Sequence, residues 1–101
     1  ALDTFVFGGR TVDRKRYTLQ KHGETFDLTD REMKLIHFFH DHPGEVLSRD
    51  ALLNAAWGID YFGNTRTLDQ HVAQLRKKVE DDPARPEIIT TVHGIGYRYR
   101  E

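Results

Sequence analysis

Gln70 and Gln74 stand four residues apart in the stretch RTLDQHVAQLRKKV, Arg66 to Val79. A glutamine amide presents a donor and an acceptor side by side, the pair that the N6 and N7 edge of adenine demands in the major groove of duplex DNA. Residues four apart are neighbours along one ridge of an α-helix, so the two amides would form one surface. Cations flank them: Arg66 opens the stretch and Arg76, Lys77 and Lys78 close it, with the charge to hold phosphates and so fix register without carrying sequence information. Gln, Lys and Arg are also ordinary residues of a solvated helix face, and the stretch by itself is compatible with either role.

The element that must carry these groups is a helix. Leu68, Val72, Leu75 and Val79 follow a spacing of four, three and four, which is one apolar stripe of an α-helix. With that stripe turned to a core, Arg66, Gln70, Ala73, Gln74 and Lys77 fall within about 60° of the opposite direction. Asn64 or Thr65 can cap this helix, Thr67 and Gln70 offer a capping-box spacing, and the acidic run Glu80-Asp81-Asp82 before Pro83 ends it in solvent. Two helices precede it. Thr29 and Glu32 form a capping box ahead of a first helix from about Asp30 to Asp41, which stops before Pro43-Gly44. Ser48 caps a short second helix in which Leu52, Leu53, Ala56 and Trp57 share a face and Gly58 is the stop.

Strands flank the helices. In the first 28 residues TFVF, RYTLQ and ETFDL have strand-like patterns, with turns at Gly8-Gly9 and Lys21-His22-Gly23, and the simplest arrangement is an antiparallel meander. At the other end EIITTV, the turn HGIG and YRYRE read as a hairpin, with Tyr97 and Tyr99 on one strand face and Arg98 and Arg100 on the other. His93, Arg98 and Arg100 bring polar groups to a projection small enough for a minor groove. Strands, three helices with the third longest, and a final hairpin are compatible with a helix-turn-helix carrying a β-hairpin wing.

Composition bounds the rest. At 101 residues, 38% hydrophobic and 11% aromatic, the chain has the size and material for one folded core. Net charge is −1, yet the residues from Arg66 to Lys78 carry four basic groups against Asp69, and those from Arg10 to Lys21 five against Asp13, so the charge is lopsided. Cysteine is absent, which fits a reducing compartment and a cytoplasmic location, and no membrane span or signal peptide is expected. His37, His40 and His42 gather near the end of the first helix, but three His with no downstream ligand pair are a weak zinc pattern, and a solvated face explains them better. No phosphate loop or nucleophile elbow is present, so no enzymatic activity, cofactor or metal is expected.

RTLDQHVAQLRKKVE followed by ITTVHGIGYRYR resembles the signature of the OmpR/PhoB family of winged-helix effector domains, the DNA-binding output of two-component response regulators in bacteria. The likeness extends upstream through LTDREMKLIHFF, HPGEVLSRDALLNAAWG and the N-terminal strands. It implies an α+β fold over residues 1–101: a four-stranded antiparallel sheet at about 4–28, three helices at about 29–82, and a hairpin wing at about 87–101. It implies a third helix in the major groove, with Gln70, Ala73 and Gln74 at base edges, and a wing over the minor groove. Trp57, Arg66, Thr67, His71 and Arg76 match positions that meet or lie against the phosphate backbone, Lys77 adds a further cation, and Thr91, His93 and Arg98 are the expected wing contacts. The loop holding Ile59, Asp60, Tyr61 and Phe62 corresponds to a segment that can touch RNA polymerase. The implied partners are double-stranded DNA with tandem half-sites, RNA polymerase, a receiver domain of the same parent chain and a second copy on DNA. The family often carries Arg where this chain has Ala73, Gln74 and His93, so weaker, more avidity-dependent binding and a shift from guanine toward adenine are expected, with His93 gaining phosphate affinity on protonation. The alternative is a winged-helix protein-interaction module without direct DNA readout; the cationic helix and the arginine-bearing wing argue against it.

Overall fold

A computed structural model describes residues 3–58 and 64–101. Strands β1 (Thr4–Phe7), β2 (Arg10–Asp13), β3 (Thr18–Lys21) and β4 (Glu24–Asp27) form an antiparallel sheet in sequence order. Two-residue turns close its first and last hairpins, Gly8-Gly9 and His22-Gly23, and all four residues have positive φ. That is the twist a tight hairpin needs, and glycine adopts it without a Cβ penalty. β2 was not distinguished in the residue pattern, because its four residues RTVD hold a single buried apolar side chain, Val12.

Helix α1 (Asp30–Asp41) begins at the expected capping box: the Thr29 hydroxyl accepts from the Glu32 amide at 3.1 Å and the Glu32 carboxylate from the Thr29 amide at 2.8 Å. Helix α2 (Arg49–Trp57) is capped by Ser48 and ends at Gly58. Helix α3 (Thr65–Val79) is capped by Asn64, whose side chain accepts from the Arg66 amide at 3.0 Å. Thr67 lies inside this helix, so the second capping-box spacing is not used.

Between α1 and α2 runs β5 (Val46–Ser48), which the residue pattern did not reveal. It pairs with β7 (Gly96–Tyr99), which also pairs with β6 (Ile89–Val92), giving a three-stranded sheet of order β5-β7-β6 instead of a lone hairpin. Gly96 is required at this junction: a Cβ there would stand 2.0 Å from the Leu47 carbonyl oxygen.

One core unites the elements. Leu68, Val72, Leu75 and Val79 of α3 are fully buried, with Leu35, Ile36 and Phe39 of α1, Leu52 of α2, and Phe7, Val12 and Leu19 of the first sheet. Tyr99 ties the wing to that sheet, its ring stacked on Phe7 at 4.3 Å and its hydroxyl accepting from the Gly8 amide at 2.8 Å. The sequence reading that the acidic run after α3 ends the helix in solvent is corrected at its first residue. Glu80 is 1% exposed, and its carboxylate accepts from the amides of Glu87, Ile88 and Ile89 at 2.7–3.1 Å. Those three donors offset the cost of burying its charge and fix the approach to β6. The expected polar face of α1 is likewise partly covered: His37 and His40 rest against Phe5 of β1 at 5.2 and 4.6 Å. No group of His, Asp and Glu fit to hold a metal occurs among the described residues, and no described helix is long and apolar enough to cross a membrane.

Candidate nucleic-acid interface

Because the stripe of α3 is committed to the core, the opposite face projects. Arg66, Gln70, Ala73, Gln74 and Lys77 are all exposed. The first turn holds no acid, so the positive end of the helix dipole at Thr65 and Arg66 is unopposed within the helix, an arrangement that suits an anion.

Around this face the expected backbone residues separate into two groups. Trp57 and His71 are half-buried and meet edge to face at 4.8 Å, closing the junction of α2 with α3. Arg31 braces Trp57 from α1, its guanidinium 5.3 Å from the indole and Nη1 donating to the Ala56 carbonyl at 2.7 Å. His71 Nδ1 lies 2.9 Å from the Thr67 carbonyl oxygen. A carbonyl only accepts, so Nδ1 carries a proton and the neutral ring's Nε2 is an acceptor; a phosphate contact from Nε2 therefore requires the doubly protonated ring. Thr67 is half-buried one turn before it.

Arg76 departs from its expected role as a phosphate grip. Its Nε and Nη2 donate to the Ile89 carbonyl at 3.0 and 2.8 Å, Nη2 also reaches Thr91 Oγ1 at 2.8 Å, and the guanidinium lies 5.2 Å from the Tyr97 ring centre. Burial lowers its pKa from the ordinary arginine value. Thr91, an expected wing contact, is thereby engaged as an acceptor for Arg76. Lys78, which sequence grouped with the phosphate-holding cations, turns the other way: Nζ donates to Glu32 Oε1 at 2.7 Å and to the Asp27 carbonyl at 2.6 Å. Of the four cations of the helix, Arg66 and Lys77 remain on the projecting face.

The wing tip is His93-Gly94-Ile95, all three exposed, with the Ile95 amide donating to the Val92 carbonyl at 3.0 Å. Ile95 is 53% exposed, an apolar group at the tip that sequence reasoning passed over between two glycines. Arg98 is not at the tip. It sits mid-strand, paired with Val46 and Thr90, beside a hollow lined also by Pro43, Gly44, Arg100 and Glu101. Its Nε is buried with no hydrogen-bond partner among the described residues. The expected polymerase-contact residues Ile59, Asp60, Tyr61 and Phe62 lie outside the described residues.

Sequence reasoning missed the groups that join wing to helix. Asp69 Oδ1 accepts from the Tyr97 hydroxyl at 2.5 Å and from Arg49 Nε at 3.1 Å. Burial and the Asp69 carboxylate push the Tyr97 pKa up to about 12, and the hydrogen bond to Asp69 raises that of Arg49. One signal was available: Asp69 and Arg76 are seven apart, and so lie on the same flank of the apolar stripe.

The family described as "Transcriptional regulatory protein, C terminal" matches residues 23–99. Among solved structures, the DNA-binding domain of E. coli CadC is 30% identical at a TM-score of 0.79, covering 95% of this chain and 89% of that one. The Klebsiella pneumoniae RstA DNA-binding domain, in complex with the RstA box, is 32% identical at 0.79 and covers 96% of each chain. The Thermotoga maritima response regulator DrrB, an OmpR/PhoB homolog, is 29% identical at 0.83; 98% of this chain is covered, spanning 45% of the DrrB chain.

Proposed function

The chain belongs to the family of C-terminal domains of transcriptional regulatory proteins of the OmpR/PhoB type, which bind DNA and regulate transcription, and from that premise we propose that it reads duplex DNA with α3 in the major groove and the wing tip at the adjacent minor groove. The observation that carries this reading is the exposed ridge Gln70, Ala73 and Gln74, bounded by Arg66 and Lys77, on a helix whose other face is fully buried. Gln70 and Gln74 present amides to base edges with a preference for adenine, and Ala73 leaves room for a thymine methyl. Arg66, Lys77 and the wing-tip His93 supply phosphate contacts, joined by His71 when its ring is doubly protonated. The bound relative from Klebsiella, 32% identical, supports duplex DNA as the ligand.

With two helix cations facing outward, a single domain binds weakly, and two copies on tandem half-sites bind by avidity. A receiver domain in the parent chain would drive that pairing, and the segment holding Ile59, Asp60, Tyr61 and Phe62 is assigned to RNA polymerase on the family resemblance alone. No enzymatic step belongs to this function, and a bacterial cytoplasm is its setting. Selecting sites from random duplexes with a linked pair of domains, then titrating Gln74→Ala on the selected site and on single-base variants, tests the reading. The expected outcome is a loss of about 1–3 kcal/mol confined to one base position. Equal loss on selected and random DNA would overturn it.

A further inference from the structure

The polar groups between α2, α3 and the wing form one connected joint. Asp69 and Arg76, two turns apart on one flank of α3, reach the wing at separate points: Asp69 the Tyr97 hydroxyl of β7, Arg76 the Ile89 carbonyl and Thr91 hydroxyl of β6. Arg49, at the start of α2, adds a third anchor. Its Nε donates to the same Asp69 oxygen, its guanidinium lies 5.5 Å from the Tyr97 ring centre, and its backbone amide donates to the Ile95 carbonyl at 3.3 Å, at the wing tip. The Asp69 carboxylate is 41% exposed and the Arg49 side chain 28%, so their ion pair is screened and adds little stability. Hydrogen bonds are directional where apolar contacts are not, so what this joint supplies is an angle.

We propose that Asp69 and Tyr97 are positioning residues for DNA recognition: their hydrogen bond holds the wing at the angle at which its tip and the exposed ridge of α3 engage neighbouring grooves together. The inference rests on the groove assignment proposed above. Loosening the joint leaves the α3 surface intact and releases the tip, so the cost appears only on DNA long enough to meet the wing.

The test uses Tyr97→Phe, which removes the donor hydroxyl, and Asp69→Ala, which removes the acceptor. Each is titrated with two duplexes, one ending at the α3 contacts and one extended through the wing-side flank, alongside a scrambled duplex. The wild-type protein is expected to gain about tenfold in affinity from the flank. Tyr97→Phe is expected to lose that gain while staying within about twofold of wild type on the short duplex. In the free protein, backbone order parameters at Gly94 and Ile95 should drop from the rigid range near 0.85. A Tyr97→Phe protein that keeps the flank gain, or weakens equally on both duplexes with order parameters unchanged, overturns the inference. If Tyr97→Phe does not fold, Asp69→Ala is judged by the same criteria. Wild-type protein that binds selected and scrambled duplexes alike overturns the groove assignment, and this inference with it.

Discussion

Two exposed side chains on α3, Arg66 and Lys77, carry the basic charge the helix turns outward, and in the proposed complex each would neutralise about one phosphate. Arg66→Ala should weaken binding to every sequence alike and reduce the slope of log K against log salt by about 0.9. Affinity measured over a range of salt on selected and random duplexes checks this; a loss confined to one sequence would contradict it. His37 sets a different kind of expectation. Burial, then Arg14, then His40 lower its pKa from the ordinary 6.5, against an opposing pull from Asp41. The unfolded chain therefore takes up a proton in a range where the folded one does not, so stability is complete above the ordinary value and falls as pH drops below it. Melting temperature should decline as pH falls below about 6.5, less steeply in His37→Gln; parallel profiles for the two proteins would reject the assignment.

Within single elements, local pattern carried far. The bounds of α1, its capping box and the Ser48 cap of α2 were all legible, because caps and amphipathic stripes act over three or four residues. β5 was not, because three residues, Val46–Ser48, are too few to show a period and become a strand only when β7 lies beside them. That dependence makes Gly96 a sharp test of the wing sheet. Gly96→Ala would drive a Cβ into the Leu47 carbonyl, so β5 and β7 must separate. The expected cost is about 3 kcal/mol, a fall in melting temperature of some 4–8 °C per kcal/mol in a domain of this size. A melting temperature within about 2 °C of wild type would show that the sheet yields without cost.

As a body, the domain has a radius of gyration of 12.8 Å and a longest extent of 36 Å. A turn of duplex is about 34–36 Å, so two copies fit one turn apart when one of the shorter axes, 28 or 21 Å, lies along the duplex. A linked pair of domains on a two-half-site duplex should bind at least about 100-fold more tightly than one domain on one half-site. Inserting about five base pairs between half-sites puts the copies on opposite faces and should erase the gain, as a band-shift titration would show. A gain that survives the insertion would mean the copies do not need one face of the DNA. On this scale the sequence determined that α3 has one buried and one projecting face, since a four-three-four spacing admits no other partition. Tertiary structure alone decided which projecting charges stay available. Lys78 meets Glu32 across 46 positions and Tyr97 meets Asp69 across 28, while Arg76 spans from α3 to β6. Helical period states which way a side chain leaves its own axis; what it meets there depends on how distant elements pack. That packing turned two expected phosphate ligands, Arg76 and Lys78, toward the protein and tied an acidic residue of α3, Asp69, to Tyr97 of the wing.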